Sequence, residues 1–349
     1  MRRPPRIRAK ALLWVLLCGA AATAFAFNLG GHYYSVLAIL SSGNAEIDTG
    51  RATEAFCSEL PDMSKELDAI TLRTDVFWST RDRAWGSGAR CTTSVSRRMV
   101  QVQFYLHALT GQGASVSRAA AEKMLNDLGK RISAGGIRQE LANLRCERGF
   151  ATHLLGDTFA HVQLRPDPQI SAKYKDPIGV LYETGLGHFR DGVDPDYMLW
   201  RTSPEFAEDV QWTGWVKEVA NRVDGRAAIQ DAKQIIGATS AWRASKGKAA
   251  ALEAGLIEEL KRNIGKPWLS DLPDAKHDWM WSQTQSCATQ IKKYFDPLQV
   301  AAEDRPDCTV VWHDYLVRAE AAFAASRPNT TVVYGPDASC VQPLAGLLD

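Results

Sequence analysis

Residues 137–164 read IRQELANLRCERGFATHLLGDTFAHVQL, framed by Gly135-Gly136 on one side and Pro166 on the other. Apolar side chains recur at helical intervals with no alternation, so the stretch predicts one long α-helix stopped by glycine and proline at its ends. Inside it, His153, Asp157 and His161 stand four residues apart and share a face. Their neighbours Leu154, Leu155, Phe159 and Val162 predict that this face is buried. An unsatisfied imidazole or carboxylate there costs about 1–3 kcal/mol, and more for a charge. A hydrogen-bonded His–Asp pair meets that cost, and so does a bound cation. Eight residues of helix rise roughly 12 Å, too far for one ion, so two or more ions sharing Asp157 fit better.

Working outward, helical patterns also dominate at 32–41, at 54–60 where Pro61 ends the run, at 99–109 before Thr110-Gly111, and at 115–132 with Ser115 as the cap. Further helices are expected near 205–222, 226–237, 247–263, 278–294 and 311–326. Residues 165–177 (RPDPQISAKYKDP) read as a loop, and the tail from Pro328 holds a short strand or none. With no repeat and no run of alternating polarity, the expected fold is all-α. It is one multi-helix domain over 27–349, with a metal-site core to residue 200 and a helical C-terminal elaboration over 201–349.

The 349 residues, 45% hydrophobic and 23% charged, suffice for a sizeable core and exclude a disordered tail or a disulfide miniprotein. Five of the basic residues, Arg2, Arg3, Arg6, Arg8 and Lys10, precede the apolar run ALLWVLLCGAAA and the small-x-small motif Ala24-Phe25-Ala26. That order is expected of a signal peptide over residues 1–26, with a mature chain beginning at Phe27. As a membrane anchor the run falls short of the roughly 20 residues a span needs, and Leu17 before Cys18 is bulkier than lipoprotein processing prefers. Without the leader, 36 basic residues face 40 acidic ones, which argues against a protein that coats polyanions. Export, to the periplasm or beyond the cell, makes the six remaining cysteines (Cys57, Cys91, Cys146, Cys287, Cys308, Cys340) candidates for disulfides. Six cysteines allow about 15 pairings, and the absence of CxxC spacing argues against thiolate zinc.

Other histidines sit beside suggestive residues. His188 lies in GLGHFRDGVDPD, with Asp191 three residues on and Asp194 and Asp196 beyond it. His107 interrupts an apolar helix in FYLHALT, and His32 follows Gly30-Gly31. His277 and His313 have only the adjacent Asp278 and Asp314, which on a helix point elsewhere, so structural or surface roles are expected. No GxSxG or Walker-type glycine loop is present.

Together FNLGGH, HALTG, HLLGDTFAH and GHFRDGVDPD resemble the superfamily of zinc-dependent phospholipases C and single-strand-specific zinc nucleases, over roughly residues 27–196. The wording is closer to a bacterial phospholipase-C-like branch than to the nucleases. The resemblance implies a secreted all-α enzyme with two or three zinc ions, one of them bound through the mature N-terminus. Phe27 precedes His32 by the five residues expected in the nucleases. One zinc would take Asp62, His107, His153 and Asp157. A second would take the Phe27 backbone, His32 and Asp157, and a third His161, His188 and Asp191. Asp68 is an alternative to Asp62, and Asp194 or Asp196 to Asp191. The sequence departs from the family at Phe27, usually a tryptophan, and in two spacings: four residues from Asp157 to His161 where the family has six, and three from His188 to Asp191 where it has four.

The implied activity is hydrolysis of a phosphodiester, a phospholipid head group in the first instance. Zinc lowers the pKa of bound water toward roughly 7, and Asp62 and Asp157 flank the attacking oxygen. The alternatives are a single-strand nuclease or nucleotidase, with base stacking on rings such as Trp78, Trp85, Trp200, Trp212 or Trp215, and a non-catalytic secreted metal-binding or interaction protein. No stable nucleic-acid partner is implied. Transient contact with a membrane surface is compatible with the lipid reading, and the oligomeric state is left open.

Overall fold

The computed structural model describes residues 31–40, 48–64, 67, 101–111, 113–161, 181 and 285–326. The expected signal peptide, Phe27, Asp68, His188, Asp191, Asp194, Asp196, the helices expected at 205–263 and the tail lie outside them. The described chain is helical and contains no strand. Its helices are α1 (Gly31–Leu40), α2 (Thr49–Met63), α3 (Ala114–Ala134), α4 (Arg138–Ala160), α5 (Cys287–Phe295) and α6 (Cys308–Ser326), with a 3₁₀ turn at Ala302–Asp304.

Helix α4 is the hub and packs against α2, α3 and α6, while α2 also packs against α1 and α5. All described side chains of α2 from Ala52 to Met63 are buried. Between α2 and α5 the core is aromatic: Phe56 stacks on Tyr294 with centroids 4.3 Å apart, and Tyr33 meets the Tyr294 hydroxyl at 3.0 Å. Each such ring, fully buried, contributes about 1.5–3 kcal/mol through the surface it removes from water. Two disulfides staple the bundle, Cys57–Cys146 between α2 and α4 and Cys287–Cys308 between α5 and α6. No described helix is long and apolar enough to cross a membrane.

Helix boundaries correct several expectations. Helix α2 is twice the length expected at 54–60. Asp48 caps its start by accepting from Arg51 N at 2.8 Å, and Pro61 sits inside its last turn instead of ending it. A proline there forfeits only the bond its missing N–H would give the carbonyl one turn back, and the burial of α2 on three sides compensates. Helix α4 stops at Ala160, short of 164. Arg118 places its guanidinium over the Phe159 ring at 3.8 Å and donates to the Thr158 carbonyl at 3.2 Å, drawing off an end carbonyl. Helix α3 starts at Ala114 with Gly113 in the cap position and no side-chain cap, so Ser115 is not its cap.

The largest correction concerns His107. The helix expected over 99–109 is helical at 101–105 and then unwinds. The Tyr315 hydroxyl takes the Tyr105 carbonyl at 2.8 Å, Leu109 N turns back to Gln103 O at 2.9 Å, and Ala108 adopts φ 51°. Left-handed backbone is costly for alanine, so packing against α6 sustains this turn. His107 consequently sits on a tight turn and not within a helix.

Candidate metal centre

Four elements converge on one buried point. His32 comes from the first turn of α1, Asp62 from the last turn of α2, His107 from the turn after 105, and His153 and Asp157 from α4 with His161 just past its end. All six are buried, and His32, His153 and Asp157 have no exposed surface. Of the residues singled out from the sequence, these six are brought together; Phe27, His188 and Asp191 lie outside the described chain.

Asp157 occupies the middle. Its Oδ2 lies 3.3 Å from His107 Nδ1, 3.2 Å from His153 Nε2 and 3.9 Å from His161 Nδ1, while its Oδ1 lies 3.3 Å from His32 Nε2. His107 Nδ1 and His153 Nε2 are themselves 3.2 Å apart, and Asp62 Oδ1 is 3.8 Å from His107 Nδ1. The two carboxylate oxygens of Asp157 thus face different imidazoles, as a bridging group would.

Main-chain carbonyls decide which nitrogen of each ring carries a proton, because a carbonyl only accepts. His153 Nδ1 donates to Ser58 O at 2.8 Å, and its Nε2 turns inward with a lone pair. His107 is held the other way round, Nε2 donating to Leu67 O at 3.0 Å and Nδ1 facing the centre. His161 Nδ1 donates to the carbonyl of His107 at 2.6 Å. Two ring nitrogens and a carboxylate oxygen therefore turn toward one another, and neither Asp157 oxygen accepts a well-directed hydrogen bond. A metal ion can sit among these three atoms, as can a proton shared between them.

The spacing fits a cation. In a tetrahedral zinc site with bonds of about 2.0–2.1 Å, neighbouring ligand atoms stand about 3.3–3.4 Å apart. The His107, His153 and Asp157 atoms form a triangle with sides of 3.2, 3.2 and 3.3 Å. Two groups, His107 with His153 and Asp157 and His32 with Asp62 and His153, each place their ligand atoms within 4.8 Å of one another and can hold a metal ion. Nitrogen and carboxylate donors of this kind suit zinc and its first-row neighbours.

The electrostatics agree with ligands in their binding forms. Burial opposes the charge of Asp157, but its interactions with His153 and His161 and hydrogen bonding with His107 and His153 outweigh it and hold the carboxyl well below the usual range. Burial, helped by His153, pushes His32 down to about 4, so this imidazole is neutral at pH 7.

Ser58, Leu67 and the His107 carbonyl act through backbone atoms and carry no signal in side-chain sequence. His313 lies apart from the centre, largely exposed, with Nδ1 3.0 Å from Asp314 Oδ1. Adjacent helical residues do meet here, contrary to expectation, because both side chains are free to bend through solvent. Comparison with protein-family models, curated proteins and solved structures yields no match to this chain.

Proposed function

We propose that the chain is an exported zinc-dependent phosphoesterase that cleaves a phosphodiester, akin to the zinc-dependent phospholipases C. The observation that carries this reading is the triangle of His107 Nδ1, His153 Nε2 and Asp157 Oδ2, with sides of 3.2–3.3 Å and fixed tautomers. Asp62 stands at its edge and His32 on the far oxygen of Asp157. Bound zinc supplies Lewis acidity toward a phosphoryl oxygen and makes water nucleophilic near neutral pH. The chain supplies the rest. His107 and His153 present lone pairs, Asp157 stays ionised and spans two subsites, and Asp62 Oδ1 receives the proton of the attacking water. The two disulfides support the assignment to an oxidising compartment.

Elemental analysis of the purified protein tests the metal, with two or three zinc per chain expected. Hydrolysis of bis-p-nitrophenyl phosphate, p-nitrophenylphosphorylcholine and single-stranded DNA, with and without chelator, tests the chemistry. Preference for the choline ester supports the lipid reading, and preference for DNA the nuclease alternative. Zinc binding without hydrolysis of any of the three overturns the enzyme reading in favour of a non-catalytic metal protein.

A further inference from the structure

The first turn of α1 carries His32, and its amides need acceptors from outside the helix. Ordinarily the residue before the helix supplies one from a Ser, Thr, Asp or Asn side chain. At the Tyr33 amide the side-chain acceptor is not local. The acceptor comes instead from another helix: Glu59 Oε2 of α2 receives the Tyr33 N–H at 3.0 Å, and Glu59 has no exposed surface. A carboxylate is costly to bury, and its placement at a helix N-terminus, where the dipole favours negative charge, offsets part of that cost.

The position matters because of what adjoins it. One turn of α2 presents Ser58 O to His153 Nδ1, Glu59 to the amide next to His32, and Asp62 to the edge of the centre. The His32 ring lies 4.2 Å from that of His153, and its Nε2 is 3.3 Å from Asp157 Oδ1. A small rotation of α1 would carry that nitrogen out of range without disturbing His107, His153 or Asp157, which belong to other elements.

We propose that Glu59 is the positioning residue for His32, its carboxylate clamping the first turn of α1 so that the His32 subsite accepts a cation. This rests on the reading that the centre binds divalent metal. The test is titration of the metal-free full chain with Co²⁺, followed by visible absorption and calorimetry, with His32→Ala defining which ion depends on His32. Glu59→Leu is expected to weaken that ion about 10–100-fold, as loss of outer-shell support does, and to leave the His107/His153/Asp157 ion unchanged. Glu59→Gln keeps an acceptor oxygen but not the charge, and is expected to weaken the same ion only about two- to fivefold. Glu59→Leu with the affinity of the unsubstituted chain overturns the role of Glu59 alone, as does equal weakening of both ions. If Glu59→Leu does not fold, Glu59→Gln decides by the same criterion: selective weakening supports the proposal, and equal or absent weakening overturns it. An unsubstituted chain that takes up no Co²⁺ overturns the metal reading itself.

Discussion

The carbonyl oxygen of Ser58 and Nδ1 of His153 lie 2.8 Å apart across the α2–α4 interface, and this contact settles which face of the imidazole looks inward. The same logic assigns His161 a proton on Nδ1 and His107 a proton on Nε2. Long-range ¹H–¹⁵N NMR of the metal-free protein near pH 7 should therefore show His107 in the tautomer opposite to His153 and His161. A common tautomer for all three would sink the ligand geometry.

The two oxygens of Asp157 face separate groups of imidazoles. Asp157→Asn keeps its size but removes the charge that holds them together. Metal affinity should fall by more than the roughly 10–100-fold caused by loss of an outer-shell partner, and phosphodiesterase activity should fall with it. Elemental analysis after gel filtration checks the first and turnover of bis-p-nitrophenyl phosphate the second.

The Cys57–Cys146 disulfide closes a separation of 89 residues and joins the two helices that carry most of the centre. Replacing both cysteines with alanine should cost about 2–5 kcal/mol in denaturant unfolding, more than the same change at Cys287–Cys308, since stabilisation grows with the loop closed. The latter pair spans only 21 residues. Metal affinity should suffer in the first variant and be spared in the second.

At Gly149, α4 lies close against α2. A Cβ there would lie 2.6 Å from the Glu54 carbonyl and 2.7 Å from Cys57 Cβ. Neither atom can move without the helix, so Gly149→Ala should destabilise by about 1–3 kcal/mol or more. At Gly50 the nearest atoms belong to the flexible Arg145 side chain, and Gly50→Ala should be nearly neutral by thermal unfolding.

Burial lowers His32 from 6.5 to about 4. Between those values the unfolded chain binds a proton that the folded chain refuses, so stability of the metal-free protein falls as pH drops through that window and is not altered by this residue above it. His32→Gln should flatten this part of the stability–pH curve. Denaturant unfolding at a series of pH values reads the difference.

The stripe of His153, Asp157 and His161 was legible because helical periodicity fixes which residues share a face. The convergence of His32, Asp62 and His107 upon it was anticipated only through resemblance to a family. The turn at His107 was not legible: the apolar run 101–109 looks helical throughout, and what unwinds it is Tyr315, over two hundred residues away in sequence. Likewise, Pro61 signals a helix end wherever α2 is considered alone, and only its burial among three neighbours carries the helix past it. The pairings of Cys57 with Cys146 and Cys287 with Cys308 required coordinates, since spacing leaves every combination open. Glu59 left no distinct trace, since Glu54 and Ser58 share its stretch of α2 and the amide it serves lies on another helix.

Three rings of the centre take their orientation from main-chain oxygens, those of Ser58, Leu67 and His107. Every amino acid carries such an oxygen, so exchanging the side chain at 58 or 67 does not remove the support. Tolerance of substitution follows: the surrounding sequence can drift widely while the inward-facing nitrogens keep their aim, provided the backbone path through those points is preserved.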